Sequence, residues 1–341
     1  MNGRTKLRTI VIGFGKIGAG YADDPLMAKY YPYASHAQVL AQHPDYAWDA
    51  VVDLSDDALA VARTKWNIPI TCRSIEELPK GFAPDVAVLA TPPDSRIGLL
   101  EQLPSVRAVL AEKPLGSTLD ASRRFLDWCE GKGIIVQVNY WRRADEQFRR
   151  FAEGGLEEQV GRPQVIFGLY GGGLLNNGSH IVDLIRMLCG EATSARALPG
   201  FPPYPAGPIP GDKNVAFSML LQQGGTAMVH PLRFEHYREN GIDIWGDRGR
   251  LSILVSGLGI SRYPVLQNRA MQDQREVASD QPERVASTVG TALYRMYDNL
   301  AAALRSGQKL WSPGESALRT AETVQAIIDS SSGGNGTDTH A

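Results

Sequence analysis

The sequence predicts an α/β chain. An N-terminal domain on a parallel sheet with helices on both faces is followed by an α+β domain with a largely antiparallel sheet. Three observations carry this reading. The first 140 residues alternate short, continuously apolar strands with helix-like stretches. A glycine motif, Gly13-Phe14-Gly15-Lys16-Ile17-Gly18, directly follows the first of those strands. Near residue 150 the pattern changes to longer, more alternating strands.

Thr9-Ile10-Val11-Ile12 is the first strand and Ala50-Val51-Val52 the second. A short third is expected over 68–72. Then come Val86-Ala87-Val88-Leu89-Ala90, Ala108-Val109-Leu110-Ala111 and Ile134-Ile135-Val136-Gln137-Val138. Helices are expected over 56–66 and 117–131. Uninterrupted apolar runs of this length suit strands covered on both faces. Further on, strands are expected over 164–170, 215–222 and 226–231, and over 242–245 and 251–255 around the turn Gly246-Asp247-Arg248-Gly249. A helix is expected over 179–188, and two more, 287–306 and 314–330, close the chain. The Pro/Gly-rich stretch 200–211 reads as a loop. The expected division is 1–140, 141–330 and a small, polar, disordered tail over 331–341.

Composition narrows the function classes. The chain has 341 residues, 43% of them apolar, and a formal net charge of -2, which favours neither nucleic acid nor an anionic membrane. No apolar run approaches the roughly 20 residues of a spanning helix. The run after the basic start is too short for a signal-peptide core, so a cytoplasmic protein is expected. Accordingly the triplets Asn177-Gly178-Ser179 and Asn335-Gly336-Thr337 are read as chance matches to a glycosylation site. Cys72, Cys129 and Cys189 form neither a disulfide framework nor a CxxC pair, and no metal site is expected.

The glycine motif has a mechanism. Gly13 permits a tight turn, Gly15 lets the backbone approach a pyrophosphate, and Gly18 allows close packing of helix on strand; Phe14, Lys16 and Ile17 complete the loop. The helix it opens would present amide hydrogens to the phosphates. Asp53, at the end of the second strand, can accept hydrogen bonds from both adenosine ribose hydroxyls and would repel a 2′-phosphate. Leu54 and Ser55 follow with no arginine, so NAD is expected over NADP. Asp53 falls later than the usual ~20 residues after the motif. The extra length lies in 21–35, rich in Tyr and Pro, and reads as an insertion after the first helical turn.

At Glu112-Lys113-Pro114 the chain resembles the Gfo/Idh/MocA family of oxidoreductases, named for glucose–fructose oxidoreductase and inositol dehydrogenase. The glycine motif, Thr91-Pro92-Pro93, the segment from Gly172 through Asn176, Asn177 and His180 to Asp183, and the ending Trp311-Ser312-Pro313-Gly314-Glu315 carry the same resemblance. It implies a Rossmann domain joined to a domain with an open, mostly antiparallel sheet, through which dimers or tetramers form. It implies that Lys113 is the catalytic lysine, there to bond the reacting oxygen and stabilise alkoxide charge. His180 maps onto the family's histidine. The family's Asp four residues before it is here Asn176, which cannot ionise but can accept a hydrogen bond. Asp183 is expected in a supporting role. Thr91, Pro92 and Glu112 are expected beside the cofactor. Tyr140, Trp141, Arg142, Asn176 and Asn177 are expected around the substrate. Where the family often has Asn and His after Thr-Pro, this chain has Pro93 and Arg96, and Arg96 is expected to add charge near the ligands. Arg233, His236 and Tyr237 are further candidates.

The leading expectation is reversible hydride transfer between NAD(H) and a secondary hydroxyl or ketone of a sugar, nucleotide sugar or cyclitol. Two alternatives stand beside it. One is an enzyme that retains NAD through oxidation, elimination or hydrolysis, and re-reduction. The other is a non-catalytic NAD-binding regulator.

Overall fold

The computed structural model describes residues 5–332, which divide into two compact units. Of the described residues, the first takes in those up to Asp145 and Gly290–Leu318, and the second Glu146–Val289 and those from Arg319 to Ser332.

The first unit opens with β1 (Leu7–Ile12). Two short helices follow, α1 (Pro25–Tyr30) and α2 (His36–Leu40). Then come β2 (Tyr46–Val52), α3 (Asp56–Trp66), β3 (Ile70–Cys72), β4 (Val86–Leu89) and α4 (Arg96–Glu101). The run ends with β5 (Ala108–Ala111), α5 (Leu119–Gly131) and β6 (Ile135–Val138). All six strands are parallel, in the order β3-β2-β1-β4-β5-β6. That is the doubly wound dinucleotide-binding order, and its switch point lies between β1 and β4. Successive residues face opposite sides. Val11, Val51, Val88 and Leu110 enter one buried cluster, and Ile10, Ile12, Val52 and Leu89 the other.

The second unit begins with α6 (Glu146–Arg150) and α7 (Leu156–Val160), then β7 (Pro163–Tyr170). A π-helical turn, Leu174–Gly178, leads into α8 (Ser179–Cys189). Its other strands are β8 (Ala192–Ala197), β9 (Tyr204–Pro205), β10 (Lys213–Asn214), β11 (Phe217–Leu221), β12 (Thr226–Pro231), β13 (Gly241–Gly246) and β14 (Gly249–Leu254). Three more follow: β15 (Gly259–Gln267), β16 (Arg275–Val277) and β17 (Glu283–Val285). Except for β9 and β10, which pair with each other, these strands form one open sheet, β16-β15-β14-β13-β7-β12-β11-β8, with β17 beside β15. It is antiparallel save for the parallel β7–β12 pair. The expected loop 200–211 thus contains one short strand.

Two helices close the chain, α9 (Ala292–Ser306) and α10 (Gly314–Ser332). The sequence division gave all of 141–330 to the second domain. The structure returns α9 to the first unit, because Met296, Tyr297 and Leu300 are 0% exposed in the cluster that holds Val11 and Leu110. Burying such side chains contributes roughly 1.5–3 kcal/mol each. Of the expected tail, Ser331 and Ser332 prolong α10, and the remainder lies outside the described residues. Cys72, Cys129 and Cys189 are buried free thiols, and burial pushes Cys129 and Cys189 up to about 12. Among the described residues no helix is long and apolar enough to cross a membrane.

Candidate active site

The strands of the first unit end in register. Ile12 lies opposite Val52 and Leu89, Val52 opposite Cys72, Leu89 opposite Ala111, and Ala111 opposite Val138. One residue further on, each chain is still stitched to its neighbour. Gly13 N–H donates to Val52 O, Ala90 N–H to Ile12 O, Glu112 N–H to Leu89 O and Asn139 N–H to Ala111 O, all within 2.8–2.9 Å. Asp53 N–H reaches Cys72 O at 3.2 Å. This edge therefore carries Gly13, Asp53, Thr91, Glu112, Lys113 and Asn139 around the β1/β4 switch, where open α/β sheets bind their ligands.

The glycine loop is built for a close approach. Gly13 has φ +91°, and a Cβ on it would lie 2.6 Å from Ala90 O. A Cβ on Gly18 would lie 2.8 Å from Phe14 Cα, whereas one on Gly15 would meet nothing within 4 Å. Phe14 turns its ring into the core beside Trp48 and offers the loop its backbone: its N–H donates to Asp53 Oδ2 at 2.5 Å. Ser55 N–H donates to Asp53 Oδ1 at 2.8 Å, so the carboxylate is held at the end of β2. Lys16 is exposed and Ile17 half-buried.

The helix that the motif opens is interrupted after its first turn, where the sequence places the insertion. One turn forms, with Ala19 N–H donating to Gly15 O at 2.9 Å, and the chain then leaves through a 3-10 turn (Gly20–Asp23) and α1. It returns at α2, where His36 N–H donates to Ile17 O at 3.0 Å and Ala37 N–H to Gly18 O at 2.9 Å. The inserted residues are thus spliced between a first turn and its continuation. Ser35 and Gln38 form a capping box that restarts the helix. Tyr31 of the insertion meets the edge of Trp141 at 6.1 Å, and the Arg142 guanidinium lies 4.3 Å over that same ring. Trp141 is half-buried, while Tyr140 and Arg142 are buried.

These residues fit a dinucleotide. The notch over Gly15 is open, Asp53 is fixed, and Thr91 Oγ1 is buried with no partner among the described residues, as in a site that a ligand completes. Lys113, half-buried, joins Pro114 through a cis peptide. Arg96 departs from expectation. It is 1% exposed and spends its guanidinium on the carbonyls of Thr91 at 3.1 Å, Pro114 at 2.8 Å and Leu115 at 3.3 Å. Burial lowers it to about 10. It ties the loops after β4 and β5 together and adds no exposed charge.

In the second unit, the π-turn places Asn176 and Asn177 directly before His180, which sits in the first turn of α8, half-buried. Asn176 Nδ2 donates to Gly172 O at 3.1 Å, a bond that a carboxylate could not make, and Asn177 Nδ2 donates to Gly171 O at 2.6 Å. Asp212, absent from the sequence reading, accepts from the Leu175 and Asn176 amides at 3.0 Å each and pins this turn. Burial raises its pKa against those backbone bonds. Asp183 is buried, accepts from Thr320 Oγ1 at 2.8 Å and pairs with Arg186, so it supports α8. Arg233, His236 and Tyr237 are exposed, with Arg233 and His236 beside Glu235.

Residues 7–140 match the family described as an oxidoreductase family with an NAD-binding Rossmann fold, and 168–338 match its C-terminal alpha/beta domain. A trans-1,2-dihydrobenzene-1,2-diol dehydrogenase of Mus musculus is 31% identical over 143 residues, 37% of this chain and 43% of that protein. The match thus spans less than half of the relative's length. An oxidoreductase from Agrobacterium radiobacter, solved with NAD+, L-tartaric acid and magnesium, aligns with TM-score 0.71 at 17% identity over 97% of this chain and 98% of its own. A dehydrogenase from Bordetella pertussis, solved with NADH and UDP-GlcNAcA, aligns with TM-score 0.71 at 19% identity over the same shares. This chain belongs to the Gfo/Idh/MocA family of NAD-binding oxidoreductases.

Proposed function

We propose that this family member is a dehydrogenase that moves a hydride between NAD(H) and a secondary hydroxyl or ketone on a sugar-like, nucleotide-sugar-like or cyclitol-like substrate. The observation that carries the reading is the single sheet edge holding the glycine loop, the fixed Asp53 and Lys113. When bound, NAD supplies the hydride acceptor or donor. The backbone of Gly13–Gly18 holds the pyrophosphate, Asp53 the adenosine ribose, and Thr91 a polar group beyond it. Lys113 donates a hydrogen bond to the reacting oxygen and steadies its negative charge. His180 and Asn176 serve the substrate hydroxyl, and Trp141 and Arg142 suit a ring or an anionic group. The mouse relative's name and the two neighbours' ligands all involve secondary hydroxyls, which supports the class. The test is a panel of sugars, nucleotide sugars, cyclitols and cyclic vicinal diols with NAD and with NADP, followed at the reduced-nicotinamide absorbance. Turnover of the panel without free NADH would instead favour retained cofactor.

NAD(H) is expected to bind more tightly than NADP(H), because a carboxylate fixed at the end of β2 would repel a 2′-phosphate. Asp53→Ser should narrow the gap on the order of tenfold, equivalent to about 1.4 kcal/mol. Titration of each cofactor checks it, and tighter NADP(H) binding by the parent protein would refute it.

Asn176→Asp tests the proton path. If His180 carries the proton, a carboxylate four residues before it raises its pKa and moves the acid limb of the pH–rate profile to higher pH. The bond to Gly172 O is lost as well, so a small drop in stability is expected. An unmoved limb in the folded, active variant leaves His180 as a substrate contact only.

A further inference from the structure

We propose that Asp212 is a positioning residue for the substrate side of this site: it is a helix cap, delivered from a remote hairpin, that fixes the backbone carrying Asn176 and His180. The proposal rests on the assignment of those two residues above. The helical run begins at Leu174, in the π-turn, and continues directly into α8. Its first amides need acceptors, which a Ser, Thr, Asp or Asn just before a helix commonly supplies. Here that position is Gly173, which has no side chain to cap with. Asp212, 4% exposed, takes its place. Its Oδ1 accepts from Leu175 N–H and its Oδ2 from Asn176 N–H, each at 3.0 Å. Those are the second and third residues of the run, the amides that a local cap would engage. Asn214, two residues on, accepts from Gly173 N–H at 2.9 Å.

The fit is close. Gly173 has φ +99°, and a Cβ on it would collide with Asp212 Oδ2, so the carboxylate fills the room of the absent side chain. The hairpin that brings Asp212 is itself anchored. β9 and β10 pair Pro205 with Lys213 and Tyr204 with Asn214. Ala206 N–H donates to Asp212 O at 3.1 Å. Val215 N–H donates to the Tyr170 hydroxyl at 2.8 Å, and that hydroxyl donates to Val215 O at 2.7 Å. A Cβ on Gly207 would collide with Gly172 O, the same carbonyl that accepts from Asn176 Nδ2. The Arg233 guanidinium lies 4.8 Å over the Tyr204 ring. One hairpin thus supports the turn that bears Asn176 and, through Tyr204, Arg233. Asp212 does not stand in for the acid that Asn176 replaces: both its oxygens are engaged by amides, Oδ1 also by Lys213 N–H at 2.8 Å. Its role is geometric. A local Asp or Ser would cap the helix equally well but would leave the turn independent of the hairpin. The remote cap makes the backbone of Asn176, and with it the first turn of α8 where His180 stands four residues on, depend on the hairpin.

Hydrogen–deuterium exchange of the full-length protein, read by peptide mass spectrometry over 174–180, reports the cap without turnover. Asp212→Ala is expected to speed exchange there and to leave the far end of α8 as in the parent. On a substrate found in the panel, kcat should fall on the order of ten- to a hundredfold, the scale on which small displacements of reacting groups act. NADH affinity should not change. Asp212→Asn keeps one accepting oxygen and should show a smaller effect on both readouts. Thr320→Val removes the hydroxyl that bonds Asp183 and loosens α8 away from the turn. It should lower the urea midpoint yet keep the parent kcat. Parent exchange over 174–180, or parent kcat, in folded Asp212→Ala overturns the proposal, and Asp212→Asn decides the same two points where Asp212→Ala does not fold. An equal loss of kcat in Thr320→Val at an equal loss of midpoint also overturns it, because general loosening of α8 would then suffice. Faster exchange in Asp212→Ala with unchanged turnover in His180→Ala would uphold the cap and refute the assignment of His180 instead.

Discussion

Lys113→Ala is expected to lower kcat by a factor on the order of 10² or more, about 2.7 kcal/mol of transition-state stabilisation. The lysine follows β5, where Glu112 N–H is still bonded to Leu89 O, so its backbone is fixed by the sheet rather than by a free loop. The loop beyond it is held by Arg96 through the Pro114 and Leu115 carbonyls. A donor carried on a backbone held in this way loses less free energy to reorganisation as charge develops on the reacting oxygen. NADH affinity should change little, because the proposed phosphate contacts come from the backbone of residues 13–18. Steady-state kinetics on a substrate found in the panel, with NADH fluorescence titration alongside, separates the two effects. A fall in NADH affinity that accounts for the whole loss of rate would make Lys113 a cofactor contact and not a catalytic group. Unchanged kcat would remove it from the site.

The sheet of the first unit was legible because its strands are buried on both faces and appear as runs such as Ala108-Val109-Leu110-Ala111, found at those same bounds. The β13–β14 hairpin was legible through its glycine-flanked turn. Other elements had no such signal. β8 reads Ala-Thr-Ser-Ala-Arg-Ala, an edge strand half exposed to water, and β15 contains Arg262 and Pro264. α9 shows helical periodicity, but periodicity does not say which sheet receives its apolar face. In the candidate site, the glycine loop, Asp53, Glu112 and Lys113 were visible as motifs, whereas Asp212, which pins the turn before His180, was not. The bond from His36 to Glu112 spans 76 positions and leaves no trace in local pattern. One clue was available. Ser35-His36-Ala37-Gln38 has the S-x-x-Q form of a helix start, which marks where the insertion ends and the interrupted helix resumes.

Gly15→Val is expected to weaken NAD(H) binding on the order of 10²-fold or more, about 2.7 kcal/mol, while leaving the fold intact. The two halves of this expectation come from one observation: a Cβ at Gly15 meets no protein atom within 4 Å. The residue is exposed and not held at positive φ, so valine fits without displacing the chain. The open space above it is the space that the pyrophosphate would need, and a branched side chain there blocks approach to the backbone amides. Gly18→Val makes the opposite case. Its Cβ would lie 2.8 Å from Phe14 Cα and 2.9 Å from Gly13 O, both backbone atoms that cannot rotate away. Overpacking of that kind costs about 1–3 kcal/mol of stability. Urea unfolding of both variants, paired with NADH fluorescence titration, tests the contrast. Gly15→Val should keep the parent midpoint and lose the ligand, and Gly18→Val should lose stability first. If folded Gly15→Val binds NADH as the parent does, the glycine motif is a structural turn and the dinucleotide is held elsewhere. If it unfolds instead, the notch is filled by packing that the geometry does not contain, and the assignment of this edge as the cofactor site loses its support.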